Sequence, residues 1–183
     1  MKLSERLAKD GLISSEELPV VAYGLRSLRD NVLSFIITVG IGFVFQDIVS
    51  AILFFFFCFP LRRSAGGYHA QTRVRCLLFS TGLLLSMWAS WEYMRIFQSC
   101  RLVASIFSTA ILFILVPVET HNKKLDPAER AVYGRRARRI AFLELFLCFI
   151  SFHMKWNPLF KSTALSLYTS SIAVLAGKWV MRK

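Results

Sequence analysis

Apolar runs as long as those in this chain have few places to go. Val32–Pro60, Leu77–Trp91, Leu102–Val118, Ile140–Phe152 and Thr163–Val180 are rich in Leu, Ile, Val, Phe and Ala, and short basic segments part them. A helix apolar all round belongs in a large core or in a bilayer, and 183 residues cannot bury five such runs in a soluble core. The chain therefore reads as an all-α polytopic membrane protein. Its net charge of +12 alone would fit a nucleic-acid binder, but basic charge beside long apolar runs fits a membrane. With 55% apolar residues, a disordered chain is excluded. Nucleic acid is not an expected partner; the lipid bilayer is.

The first run poses a topological question. Its 29 residues exceed one span of about 20 and fall short of two. It is either one tilted helix or a tight hairpin turning at Gln46-Asp47, and a re-entrant pair would give the same sidedness. Charge decides between one crossing and two. With a hairpin, segments 1–30, 61–75, 119–139 and 178–183 share a side that holds 19 of the 23 Lys and Arg residues. With a single crossing the split is nine against 14. The positive-inside rule favours the hairpin. The expectation is about six membrane-embedded helices with both termini in the cytoplasm. A lone carboxylate in lipid is costly, which puts Asp47 at the outer turn or in a polar cavity.

Two further segments have characters of their own. Residues 1–30 carry Leu3, Leu7, Leu12, Leu18, Val21, Leu25 and Leu28 at roughly helical spacing among charges. This reads as an amphipathic N-terminal arm of one or two helices on the membrane surface, with Ser14 and Glu17 at capping-box spacing and a break near Pro19. Residues 31–183 form the membrane domain. No h-region follows Lys2, so the N-terminus does not read as a cleavable signal. In the cytoplasmic loop 119–139, Asp126, Pro127 and Glu129 mark a helix start. The helix beyond carries Arg130, Arg135, Arg136, Arg138 and Arg139. It serves as a topology signal that touches anionic lipid, as a docking surface for an acidic partner, or as both.

The segment 61–76, LRRSAGGYHAQTRVRC, could carry chemistry. His69 precedes Cys76 by seven residues, and a Cys–His pair is the smallest unit that makes an activated sulfur nucleophile. On one continuous helix the two would share a face but stand about 10.5 Å apart along the axis, too far for a hydrogen bond. Contact requires His69 to precede the helix and fold back onto its first turn. Gly66-Gly67 gives the freedom for that bend. Thr72 is a candidate N-cap, which would make Cys76 the fourth helical residue, where the dipole and the orphan N–H groups favour a thiolate. Arg73 and Arg75 act in the same direction.

Other residues compare poorly. Cys58 and Cys148 lie in apolar runs and read as small hydrophobes, and Cys100 has no histidine within sequence reach. His121 reads as a loop histidine and His153 as an interfacial one. No CxxC pair, GxSxG, HExxH or P-loop spacing occurs, so no metal or other cofactor is expected.

At these residues the chain resembles the accessory gene regulator B (AgrB) family of bacterial membrane peptidases. The matching core is Arg62-Arg63-Ser64-Ala65-Gly66-Gly67-Tyr68-His69-Ala70 followed by Cys76. Tyr23-Gly24-Leu25 and the stretch Val116-Pro117…Asn122-Lys123-Lys124…Glu129 add support. The resemblance implies a cysteine endopeptidase of quorum sensing. Such an enzyme cuts the C-terminal tail from the precursor of an autoinducing peptide and helps close a thiolactone or lactone ring. Cys76 would be the nucleophile and His69 the general base, with Arg62 and Gly67 at positions that matter for activity; no third residue stands out to orient His69. Precursors of this class are amphipathic with an acidic tail, which the basic segments are suited to steer. The Phe-rich runs leave room for a homodimer. The competing reading is a small membrane transporter or assembly protein that binds or exports a peptide without covalent chemistry.

Overall fold

A computed structural model describes residues 14, 16–68, 73–93, 97–119 and 126–181. Among them all regular elements are helices: α1 (Leu18–Val44), α2 (Ile48–Ala65), α3 (Arg73–Tyr93), α4 (Gln98–Leu115), α5 (Pro127–His153) and α6 (Asn157–Met181). The architecture is the all-α polytopic one expected. α1, α2, α3 from Val74 and α6 to Val180 are long and apolar enough to cross a membrane. α4 is apolar but shorter, and α5 is apolar only beyond Arg139.

The residues fall into two compact units, one ending at Ile37 and the other comprising Thr38–Lys183. In the first, Ser14 and Glu17 close a reciprocal capping box: the Ser14 N–H donates to the Glu17 carboxylate (3.0 Å) and the Glu17 N–H to the Ser14 hydroxyl (3.3 Å). Pro19 is the second residue of α1, where a missing N–H costs nothing. The helix then runs through residue 30 unbroken. The physical reason is cooperativity: adding residues to an existing helix is easier than nucleating another.

In the second unit, α1 ends at Val44 and the chain reverses through Gln46 (φ +54°) into Asp47, the hairpin turn expected at Gln46-Asp47. The Asp47 carboxylate caps α2 by accepting from the Ser50 N–H at 3.3 Å. α6 is the central element. It packs against α2, α5 and α4, and more lightly against α3, and most of its apolar length is buried. Its inward face is built of Ala164, Leu165, Leu167, Ala173 and Val174 interleaved with Ser162, Thr163, Ser166 and Ser170. Small residues let helix backbones approach closely in lipid. Several hydroxyls bond back to their own helix, as Thr163 does to the Leu159 carbonyl (2.8 Å) and Thr169 to that of Leu165 (2.8 Å).

This unit has two distinct ends. At one, the turn 45–47, the end of α3 and the start of α6 meet through ions. The Lys161 ammonium, buried at 4% exposure, lies 2.9 Å from Asp47 and 2.7 Å from Glu92. It also sits 4.8 Å from the Trp88 ring centroid. Arg101 stacks over Trp91 and donates to its carbonyl. At the other end, residues 66–68 and 116–119 meet the first half of α5 and the last turns of α6.

Candidate functional site

The loop leaving α2 is built by two glycines. Gly66 (φ +72°) ends the helix, its N–H donating to the Arg62 carbonyl at 3.1 Å. Gly67 follows at φ +129°. Both angles lie where side chains are disfavoured, and a Cβ on Gly66 would run into the Val118 carbonyl. The backbone thus comes close enough for a parallel bridge between Gly66 and Val118, in which the Val118 N–H donates to the Ala65 carbonyl at 2.9 Å. Beyond it, the Tyr68 N–H donates to the Ala173 carbonyl of α6 at 2.8 Å. Gly177 permits that approach, since a Cβ there would stand 2.6 Å from the Gly67 carbonyl carbon. Residues 66–68 are therefore held against both the tail of α4 and the body of α6.

Tyr68 carries the connection to α3. Its ring packs edge-on against Phe79 at 4.9 Å. Cys76 lies three residues before Phe79, a neighbour on the helix surface, and is half-buried. α3 is described from Arg73, and Cys76 is its fourth described residue. The residue preceding His69 is thus seated one turn from Cys76. His69 and Thr72 lie outside the described residues, as does His121. Arg62 is half-buried in the last turn of α2, and Arg75 is exposed on α3. The other cysteines have ordinary surroundings: Cys58 lies 3.7 Å from the Thr169 hydroxyl, Cys148 is buried 3.6 Å from that of Ser105, and Cys100 is exposed at the opposite end of the unit.

A cavity of about 570 Å³ opens beside this loop, within the size range of ligand sites. Val116, Pro117 and Val118 form its apolar side, and Arg130, Arg138 and Lys178 line it with charge. Arg130 is paired with Glu119 at 2.8 Å. Arg138 donates to the carbonyls of Phe113 (3.1 Å) and Val116 (3.2 Å), closing the end of α4. Three cations and one carboxylate thus line it. Sequence reasoning noted Arg130 and Arg138 only as charge, and passed over Glu119 and Lys178 as wall residues. No pattern along the chain brings them together.

Asp47 stands at the ion-pair end, in the turn before α2. Burial pushes its carboxyl up, but the bonds from Ser50 and the Lys161 ammonium outweigh burial and hold it below the ordinary carboxylate range. Among the described residues no cluster of His, Cys, Asp or Glu could hold a metal ion.

Fold and site together define a polytopic helical membrane protein with a cysteine near the described start of one helix and a glycine-built turn at the end of the helix before it. The family model for accessory gene regulator B matches residues 1–176, and the chain belongs to this family, AgrB. It is similar to a putative AgrB-like protein of Clostridium perfringens strain SM101, 23% identical over 90% of this chain and 82% of the relative. It is also similar to putative AgrB-like protein 2 of C. perfringens strain 13, 22% identical over 85% of this chain and 76% of the relative. No solved structure matches it.

Proposed function

We propose that this chain is a membrane-embedded cysteine endopeptidase. It cleaves the C-terminal tail of a quorum-sensing precursor peptide and promotes closure of the retained part into a thiolactone or lactone. Family membership supports a role in processing an accessory gene regulator peptide. The observation that carries the finer reading is the seating of Tyr68 against Phe79, one helical turn from Cys76.

In this mechanism His69 takes the Cys76 proton, and the Sγ thiolate attacks the scissile carbonyl. The tetrahedral intermediate collapses with breakage of the C–N bond. The imidazolium returns its proton to the departing nitrogen, and the tail leaves as an amine. The retained precursor is now a thioester on Cys76. A thiol or hydroxyl within it attacks that thioester, forms the ring, and expels Cys76 Sγ to be reprotonated. A site at the bilayer edge limits hydrolysis of the thioester by keeping water scarce. Arg62, Arg73 and Arg75 supply positive charge to the acidic peptide, and the cavity lined by Arg130, Arg138 and Lys178 receives its tail. Gly66 and Gly67 set the path of the backbone into His69. Both termini and the catalytic segment face the cytoplasm in this reading, which the distribution of basic residues favours.

Co-expression with a candidate precursor tests this reading. Release of the tail should be lost in Cys76→Ser and His69→Ala and persist in Cys58→Ser and Cys100→Ser. Tail release at the normal rate by Cys76→Ser would overturn it and favour a peptide-binding protein without covalent chemistry.

A further inference from the structure

Midway along the apolar half of α5 stands a carboxyl that the peptidase reading does not use. Glu144 is 1% exposed, at the level where α5 packs on α6 and α2. Neither of its carboxylate oxygens has a hydrogen-bond partner, and among the described residues no Lys or Arg pairs with it. The Ser166 hydroxyl of α6 faces it. That hydroxyl is itself buried, and Ser170, a turn further on, faces the Cys58 thiol of α2 instead. The other titratable groups that reach Glu144 are Cys58 from α2 and Cys148 on α5. Beyond them, Tyr168 of α6 donates to the Arg101 carbonyl of α4, Arg101 is bound to Trp91, and Arg62 lies a turn from Cys58.

Buried polar groups are almost always paired, and an ionisable residue inside a membrane with no protein partner marks an ion or proton path. A naked carboxylate in this interior has to be compensated in place. Carboxylate and hydroxyl oxygens converging from two helices are hard ligands, suited to a small hard cation and not to a soft metal.

We propose that Glu144, with the Ser166 hydroxyl, is an intramembrane binding site for an exchangeable monovalent cation, a proton or a sodium ion. The site is independent of Cys76 chemistry and joins the helix that carries the basic cavity wall to the one that seats Gly67. Cation occupancy is a property of the helix junction itself, so it persists in a Cys76→Ser chain.

The test uses the full chain in detergent micelles, treated with dicyclohexylcarbodiimide, which modifies protonated carboxyls in apolar surroundings. Mass spectrometry should find the adduct on Glu144 and none at that position in Glu144→Gln. With a proton as the ligand, the labelling rate falls about tenfold for each pH unit above the midpoint and ignores sodium. With sodium, added NaCl protects at fixed pH while choline chloride does not. A labelling rate insensitive to both overturns the proposal. If the reagent cannot reach the residue, the infrared carboxyl bands of wild-type protein against Glu144→Asp decide. Conversion between the acid and carboxylate bands with pH or sodium supports the site, and bands that do not change under either overturn it.

Discussion

Gly177 has no side chain, yet the position of the loop rests on it. A methyl group there would press on the backbone of Gly67 and Tyr68 and push the chain entering His69 off α6. Misplacing a catalytic group by about 1 Å can cost on the order of 100-fold in rate. Gly177→Ala should therefore slow tail release about 10- to 100-fold, while Gly82→Ala, whose Cβ meets nothing within 4 Å, should leave it unchanged. A time course of precursor cleavage at matched membrane protein levels distinguishes the two. Asp47 supports a second prediction. Its lowered carboxyl stabilises the fold fully at neutral pH, and that contribution is lost as pH falls through the folded-state value. Asp47→Asn should cost about 1–3 kcal/mol near pH 7, because it removes one partner of the buried Lys161 ammonium. Thermal unfolding in detergent should show that deficit shrinking as the medium is acidified; a deficit that grows on acidification would contradict the assignment. The single residues were unevenly legible. The Gly66-Gly67 bend followed from local rules about glycine. The reach of Lys161 to Asp47 and Glu92 did not, since those partners lie 114 and 69 positions away in sequence.

Helices are longer here than the apolar runs that announced them. α5 joins the basic stretch after Asp126 to the run at 140–152 in one piece of 27 residues. The start was readable: Glu129 accepts from the Asp126 N–H at 3.4 Å with Pro127 in the first turn. Continuity was not, because a hydropathy reading cuts the chain where charge begins, whereas the backbone ladder ignores charge on an exposed face. Continuity gives Arg138 a role beyond charge, since it closes the last carbonyls of α4. Arg138→Gln should lower stability by about 1–2 kcal/mol, and Arg139→Gln, on the exposed face, by less than about 0.5 kcal/mol. Unfolding midpoints in detergent check the pair. Equal losses would mean that charge alone matters.

Taken whole, the second unit separates its polar chemistry by end. The paired ions of Asp47, Glu92 and Lys161 lie at one end, and the glycine loop, the basic cavity and the start of α5 lie at the other. The count of basic residues along the chain anticipated that grouping, because charge sidedness is written into sequence order. The cavity was not anticipated, because its walls come from α4, α5 and α6 together. A cysteine placed at Asp126 in a variant without the four native cysteines should resist a membrane-impermeant thiol reagent on intact cells; ready labelling would reverse the proposed orientation. The central claim is that Cys76 becomes covalently attached to the precursor. Purified wild-type chain, mixed with precursor and quenched in acid, should yield by mass spectrometry an adduct on Cys76 equal to the precursor without its tail and sensitive to hydroxylamine. Tail release with no such adduct on Cys76 at any time in the reaction would contradict the account.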